Sequence, residues 1–266
     1  MKKVLFQFSI GVFLFLGTWY LLSKINFVRI LRVETISKKN EQKLGEVLYD
    51  YIKLESKEIK PDSITDITGR IKRRICEMNG IDPASIKIHI LKNPDINAFA
   101  IPGHQLVIFT GLIGYSKNPE ELAGIMAHEI AHIEHNHVMK KMVKEVGVAG
   151  VASMIGGQNG SQVIARLAKV VTSTAFDRDQ EKDADATAVH YMVKAKINPS
   201  FFAGFFIRFS NDINQIPKEL EWISTHPDTK ERAERVRSLI PASLKSSPIA
   251  TQKEWSCFKE EVKRDL

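Results

Sequence analysis

Residues 128–132 read His-Glu-Ile-Ala-His, and this spacing constrains the chain more than any other segment. Residues four apart share one face of a helix, with Cβ atoms about 5–6 Å apart. His128 and His132 can therefore bring two imidazole nitrogens to one metal ion, each at about 2.0–2.1 Å. Glu129 lies about 100° around the same turn, near enough to take a proton from a metal-activated water without being a ligand. An exposed polar helix face is the alternative reading, and the neighbouring residues argue against it. Asn118-Pro119-Glu120-Glu121 reads as a helix start, with Asn at the N-cap, Pro first and Glu third. Leu122, Ile125, Met126, Ile130 and Ile133 then follow at helical spacing. The histidines thus sit mid-helix beside an apolar stripe, where polar groups cost free energy unless paired or metal-bound.

Two more histidines follow closely. His135 shares a face with His128, but seven residues advance a helix by about 10.5 Å, too far for one ion. His137 points to the opposite face. Both read as polar groups at a helix end, near its negative dipole.

A catalytic zinc takes three protein ligands and keeps a fourth position for water. Cys76 and Cys257 are the only cysteines, far apart and without metal-type spacing. A better source lies in residues 176–186, Phe-Asp-Arg-Asp-Gln-Glu-Lys-Asp-Ala-Asp-Ala, where a helix is predicted from Glu181 onward. Glu181 and Asp185 are four apart and share a face. Glu181 could bind the metal while Asp185 accepts the N–H of a ligand histidine. A charged surface helix fits the same spacing, and spacing alone does not choose.

Several segments together resemble one family. His-Glu-x-x-His followed by Arg-x-x-Glu-x-x-Ala-Asp is similar to the metallopeptidases that include the CAAX prenyl protease and HtpX, within the gluzincin group. Asn97-Ala98-Phe99-Ala100-Ile101-Pro102-Gly103 leads into Val107–Leu112 upstream, and Ser224-Thr225-His226-Pro227 precedes an Arg-rich helix downstream, in the family's order. Four ordered motifs over roughly residues 60–240 are more specific than one. The resemblance implies that Glu181 is the third zinc ligand and Asp185 its companion. It places the His226-Pro227 segment by the site, which makes His226 a candidate donor to the oxyanion, ahead of Arg178 and Tyr191. Capping of the following helix is the other reading of His226. One departure is visible: His104 stands where the family usually has a second glycine.

The N-terminus reads Met1-Lys2-Lys3, then Val4 to Leu22 without charge, with Trp19 and Tyr20 near the far end. A helix of this length spans about 28 Å, enough for most of a bilayer. A cleaved signal peptide is the rival, but no Ala-x-Ala pattern follows. The expectation is an uncleaved single-pass anchor with the catalytic domain on the extracytoplasmic (periplasmic) side. The lysines and arginines on both flanks decide nothing about orientation.

Ile64, Ile67, Ile71 and Ile75 form one stripe in a helical stretch spanning 35–80, while 86–90 and 105–110 alternate as strands. Val146–Gly157 is too short to span a bilayer and reads as a packed helix or a Gly-flanked hairpin over the active site, with a re-entrant or membrane-touching segment as the alternative. The domain is therefore α+β, mostly helical, with a small sheet beside the His-Glu-x-x-His helix. Residues 1–34 form the anchor, 35–240 the metallopeptidase domain, and 241–266 a linker and short C-terminal helix. The net charge of +7 is scattered among acids without an aromatic platform, which excludes nucleic acid and suits anionic lipid.

The combined reading is a membrane-anchored endopeptidase with one Zn²⁺ per chain on His128, His132 and Glu181, and Glu129 as general base. Asn97-Ala98-Phe99 is expected to form an exposed edge that pairs with an extended polypeptide substrate. Unfolded or damaged envelope proteins are the substrates the resemblance implies. The alternative is a membrane-tethered, chaperone-like binding protein with a latent or structural zinc site, though a structural site has no use for Glu129.

Overall fold

The computed structural model describes residues 7, 10–18, 38–61, 66–155, 161–212, 226–227 and 229–264. The chain divides into two units, Met1–Ile36 and Ser37–Leu266. The second unit runs α1 (Lys38–Lys53), β1 (Glu58–Ile59), α2 (Ile67–Asn79), β2 (Lys87–Leu91), β3 (Ala98–Ile101), β4 (Gln105–Phe109), α3 (Thr110–Tyr115), α4 (Pro119–Glu134), α5 (His137–Ile155), α6 (Ser161–Ser173), α7 (Arg178–Lys194), α8 (Ser200–Asp212), α9 (Thr229–Ser238) and α10 (Gln252–Arg264).

Helix α4 is the centre of this unit. Asn118 caps it by accepting a 2.9 Å bond from the Glu121 amide, with Pro119 at the first position. Every residue from Pro119 to Ile133 is buried. A helix enclosed on all sides must be apolar around its whole circumference. In its C-terminal half only His128, Glu129 and His132 break that rule before Glu134. Strands β3 and β4 pack on it, as do α2, α7 and α8.

The sheet has the order β1-β2-β4-β3. Strands β2 and β4 pair in parallel, Lys87 opposite Gln105 through Leu91 opposite Phe109. Strand β3 pairs antiparallel with β4, Ala98 opposite Ile108. Between them Gly103 (φ 77°) and His104 (φ 56°) both take left-handed backbone. Glycine adopts that conformation without steric cost, whereas His104 adopts it against its own Cβ, and histidine is among the side chains found there most often.

One sequence expectation changes. The helical stretch expected over 35–80 is broken: α1 ends at Lys53, β1 pairs with β2, and Asp66 caps α2 through the Gly69 amide. Ile67, Ile71 and Ile75 are fully buried as one stripe, while Ile64 lies outside the described residues. Of the run Val146–Gly157, the residues up to Ile155 belong to α5, which is interrupted at Gly147 (φ 74°, ψ 166°); residues 156–160 lie outside the described residues. Residues 241–251 carry no helix and are strapped down by Arg74, which donates to the carbonyls of Ala195, Lys196, Ser247 and Pro248. Cys76 is buried and Cys257 exposed, both as free thiols.

In the first unit, residues 10–18 are helical and their apolar side chains exposed, Phe13 at 78%. Among the described residues no helix is long and apolar enough to cross a membrane. Most of the rest of Val4–Leu22, including Trp19 and Tyr20, lies outside the described residues.

Gly124 marks where α4 and α8 touch. A Cβ there would stand 2.5 Å from Phe202 Cβ. Gly124→Ala is therefore expected to lower stability by about 1–3 kcal/mol through overpacking, although alanine is the better helix former. Denaturant unfolding checks the sign.

Candidate metal centre

His128 and His132 project from adjacent turns of α4, Glu181 from the first turn of α7, and His226 from the segment before α9. One ligand atom from each of the four lies within 4.8 Å of all the others. The Nε2 atoms of His128 and His132 are 3.0 Å apart, and His132 Nε2 is 3.3 Å from Glu181 Oε1. His226 Nδ1 is 2.8 Å from Glu181 Oε1 and 3.3 Å from His128 Nε2. Four ligands at about 2.0–2.1 Å around a tetrahedral zinc stand roughly 3.3 Å from one another. The donor set and its spacing fit such an ion. All four residues are buried: Glu181 is 4% exposed and the three histidines 0%.

The tautomer of His128 follows from its surroundings. Its Nδ1 is 3.1 Å from Asp185 Oδ1. An ionised carboxylate only accepts, so the proton sits on Nδ1 and the Nε2 lone pair faces the cluster. Glu129 occupies the next position round α4, also 0% exposed. Its Oε2 accepts a 3.1 Å bond from the Ala100 amide of β3, and its Oε1 is 3.3 Å from His226 Nε2. The sheet thus positions the candidate base, which sequence spacing alone does not reveal.

Arg232, on α9, closes the site from behind. Its guanidinium donates to Asp185 Oδ2 at 3.0 Å and Oδ1 at 2.7 Å, and pairs with Glu181 Oε2 at 2.7 Å. It is 1% exposed and stacks over Phe206 at 4.5 Å. Arg235 adds a 3.2 Å contact to Asp185. Burial opposes ionisation of Asp185, but Arg232 and His128 outweigh it and hold the carboxyl at about 2. For Glu181, burial is likewise outweighed by Arg232, His226 and His128, so the carboxyl stays well below its ordinary range. Burial drives His132 far down and His226 to about 4, which leaves both neutral at pH 7. Sequence reasoning noted the Arg-rich helix without assigning Arg232. The signal lay in its spacing of six from His226, which nothing local marks as inward-facing.

His137 departs from the sequence expectation. Helix α4 ends at Glu134 with His135 as its cap, Asn136 takes φ 55°, and α5 starts at His137. This break returns His137 to the site, 3.0 Å from His132 Nδ1. His135 stays apart, its Nε2 2.9 Å from Thr187 Oγ1. Arg178 is exposed on the first turn of α7, and Tyr191 lies about 15 Å further along that helix from Glu181.

The substrate edge expected at Asn97-Ala98-Phe99 is not exposed: the three residues are 0, 0 and 1% accessible. Strand β3 does end the sheet, yet α1, α4 and α6 pack around it. Phe176 lies over the cluster as well, its ring 4.0 Å from that of His132 and 5.5 Å from that of His226. Lys141 of α5 secures this cover, with its amine 4.0 Å from the Phe176 ring and bonded to the Thr174 carbonyl.

Comparison with known proteins adds the lineage. The model described as peptidase family M48 matches residues 64–240. The mitochondrial metalloendopeptidase OMA1 of Bos taurus is 26% identical over 92% of this chain and 53% of its own length. The mitochondrial metalloendopeptidase OMA1 of Schizosaccharomyces pombe is 24% identical over 89% of this chain and 72% of its own. The beta-barrel assembly-enhancing protease of Yersinia pestis is 23% identical, covering 83% and 48% respectively. The chain thus spans about half the length of the bovine and Yersinia relatives.

The charge balance at Asp185 makes a pH-dependent prediction. Its folded value of about 2 lies below the ordinary 3.8, so the stability it contributes is complete well above pH 4 and disappears as pH falls through about 2. In metal-free protein, Asp185→Asn should cost on the order of 2 kcal/mol near pH 6. The gap to wild type should close towards pH 2. Unfolding free energies of both proteins across that range supply the check.

Proposed function

Because the chain belongs to peptidase family M48, we propose that it is a zinc-dependent endopeptidase with His128, His132 and Glu181 as ligands and Glu129 as general base. The observation that carries this reading is the buried four-residue cluster with Glu129 beside it. Bound there, zinc supplies a Lewis acid that brings the pKa of its water towards about 7. Glu129, held by the Ala100 amide, accepts a proton from the attacking water and delivers it to the leaving amine. Asp185 and Arg232 fix the His128 ring and the Glu181 carboxylate, so the ligands do not reorganise during turnover.

His226 stands in two relations at once, Nδ1 towards the ligands and Nε2 towards Glu129. It serves either as a donor to the oxyanion or as a resting occupant of the fourth ligand position. The polypeptide substrate pairs with the outer edge of β3. Ala100 directs its N–H away from β4 to Glu129, so that side of the strand faces the chemistry. With the site closed in this structure, α6 and Phe176 must move aside to admit a substrate. That closure is also what favours the second reading, a chaperone-like protein with a latent zinc site.

Within the family, the narrower resemblance to the CAAX prenyl protease and HtpX rests on the order of the motifs at 97–112, 128–132, 178–185 and 226–227. Unfolded or damaged envelope proteins remain the proposed substrates. The exposed apolar residues 10–18 support an anchor in membrane lipid through Val4–Leu22, with the catalytic domain on the extracytoplasmic side. Residues 1–34, 35–240 and 241–266 are the proposed anchor, metallopeptidase domain and C-terminal extension.

Digestion of an unfolded protein such as casein tests the reading. Glu129→Gln should keep its zinc and lose about 10²–10⁴-fold in rate, and a chelator should stop the wild type. Hydrolysis at the wild-type rate by Glu129→Gln would end the mechanism and leave the latent-site reading. Glu181→Ala should lose zinc by metal analysis, whereas His135→Ala should hold about one per chain.

The role of His226 is settled by His226→Ala. Loss of an oxyanion donor lowers kcat by about 10²–10³-fold with zinc content and KM little changed. Release of a resting ligand raises activity instead. A helix cap alone costs on the order of 1 kcal/mol of stability with kcat preserved.

A further inference from the structure

His128 and His132 are both read as zinc ligands, yet they are held differently. His128 turns its Nδ1 to a carboxylate, Asp185. At the Nδ1 of His132 stands another imidazole, the Nδ1 of His137 at 3.0 Å, with ring centroids 5.0 Å apart. A neutral imidazole that offers its Nε2 lone pair to a cation carries its proton on Nδ1 and must donate it to something. In a site where His132 is 0% and His137 3% exposed, bulk water does not supply that acceptor.

The geometry points to His137 as the positioning residue of His132, a residue that accepts the His132 Nδ1–H through its own Nδ1. The inference rests on the zinc reading above and extends it. The proton of His137 then sits on Nε2, which faces Asp183 Oδ2 at 3.6 Å. His135 backs the arrangement, its ring stacked on His137 at 5.3 Å and itself bonded to Thr187. Asp183 and Asp185 lie two residues apart on α7. One helix therefore orients both ligand histidines, His128 directly through Asp185 and His132 through His137. An unbroken helix would put His137 about 140° away from His132. The left-handed Asn136 between α4 and α5 is what brings the two rings together.

The full chain is titrated with zinc against a chromogenic chelator of known affinity. His137→Ala should bind zinc about 10–100-fold more weakly, the usual loss when the partner of a ligand histidine is removed. His137→Asn, whose Oδ1 stands near the position of the missing Nδ1, should recover most of that loss. His190→Ala, at an exposed histidine of α7, should match the wild type. Nitrogen-15 spectra of the zinc-loaded wild type provide a readout independent of any variant: His137 should be protonated on Nε2 and bare on Nδ1, and His132 protonated on Nδ1. Unchanged affinity in His137→Ala, no recovery in His137→Asn, or a proton on His137 Nδ1 overturns the assignment while leaving the metal reading intact. A wild type that takes up no zinc overturns both.

Discussion

Arg232 is the cation on which the interior depends. Asp185 and Glu181 are enclosed beside three imidazoles in a core built mainly of apolar side chains. Two carboxylates in that setting cost several kcal/mol each without a counter-charge. Arg232 answers both, with a forked contact to Asp185 and a third nitrogen on Glu181, while Phe206 covers its face. The guanidinium is the side chain suited to this place, because its donors point in fixed directions and it stays charged when buried. Removing one partner of such a cluster strands the others, so α4, α7 and α9 are tied by charge as well as by packing.

The same cluster explains how the candidate metal residues can be oriented and buried together. Each histidine has a group that takes its second ring nitrogen, and each carboxylate has a cation or an imidazole against it. Preorganisation of this kind means that little has to move when charge changes within the site. The cover is built differently. Gly147 breaks α5 with a left-handed φ, and Phe176 lies across the cluster with the Lys141 amine against its ring.

Much of this was legible in residues 118–133. Asn-Pro-Glu-Glu, the apolar spacing and the His-Glu-x-x-His pattern are all local, and a helix cap or an i,i+4 pair is decided within one turn. The pairing of Glu181 with Asp185 was legible as geometry, but only resemblance joined it to α4, because fifty residues of intervening chain carry no register. The small sheet was legible where β2 and β4 alternate. Its edge was not: the Asn97 segment reads as exposed by its place in the motif, and only the packing of α1, α4 and α6 around β3 buries it.

The sequence by itself determined the chemistry: two imidazoles and a carboxylate four and one residues apart, carried on a helix that had to be buried. Tertiary structure decided which other groups meet them. A periodicity argument placed His137 on the far face, since it assumes an uninterrupted helix, and one residue at φ 55° reverses that conclusion. Arg232 and the Ala100 amide were invisible for a related reason. Their roles depend on where α9 and β3 come to rest against α4, and that is fixed by long-range packing and charge compensation that no window of sequence contains.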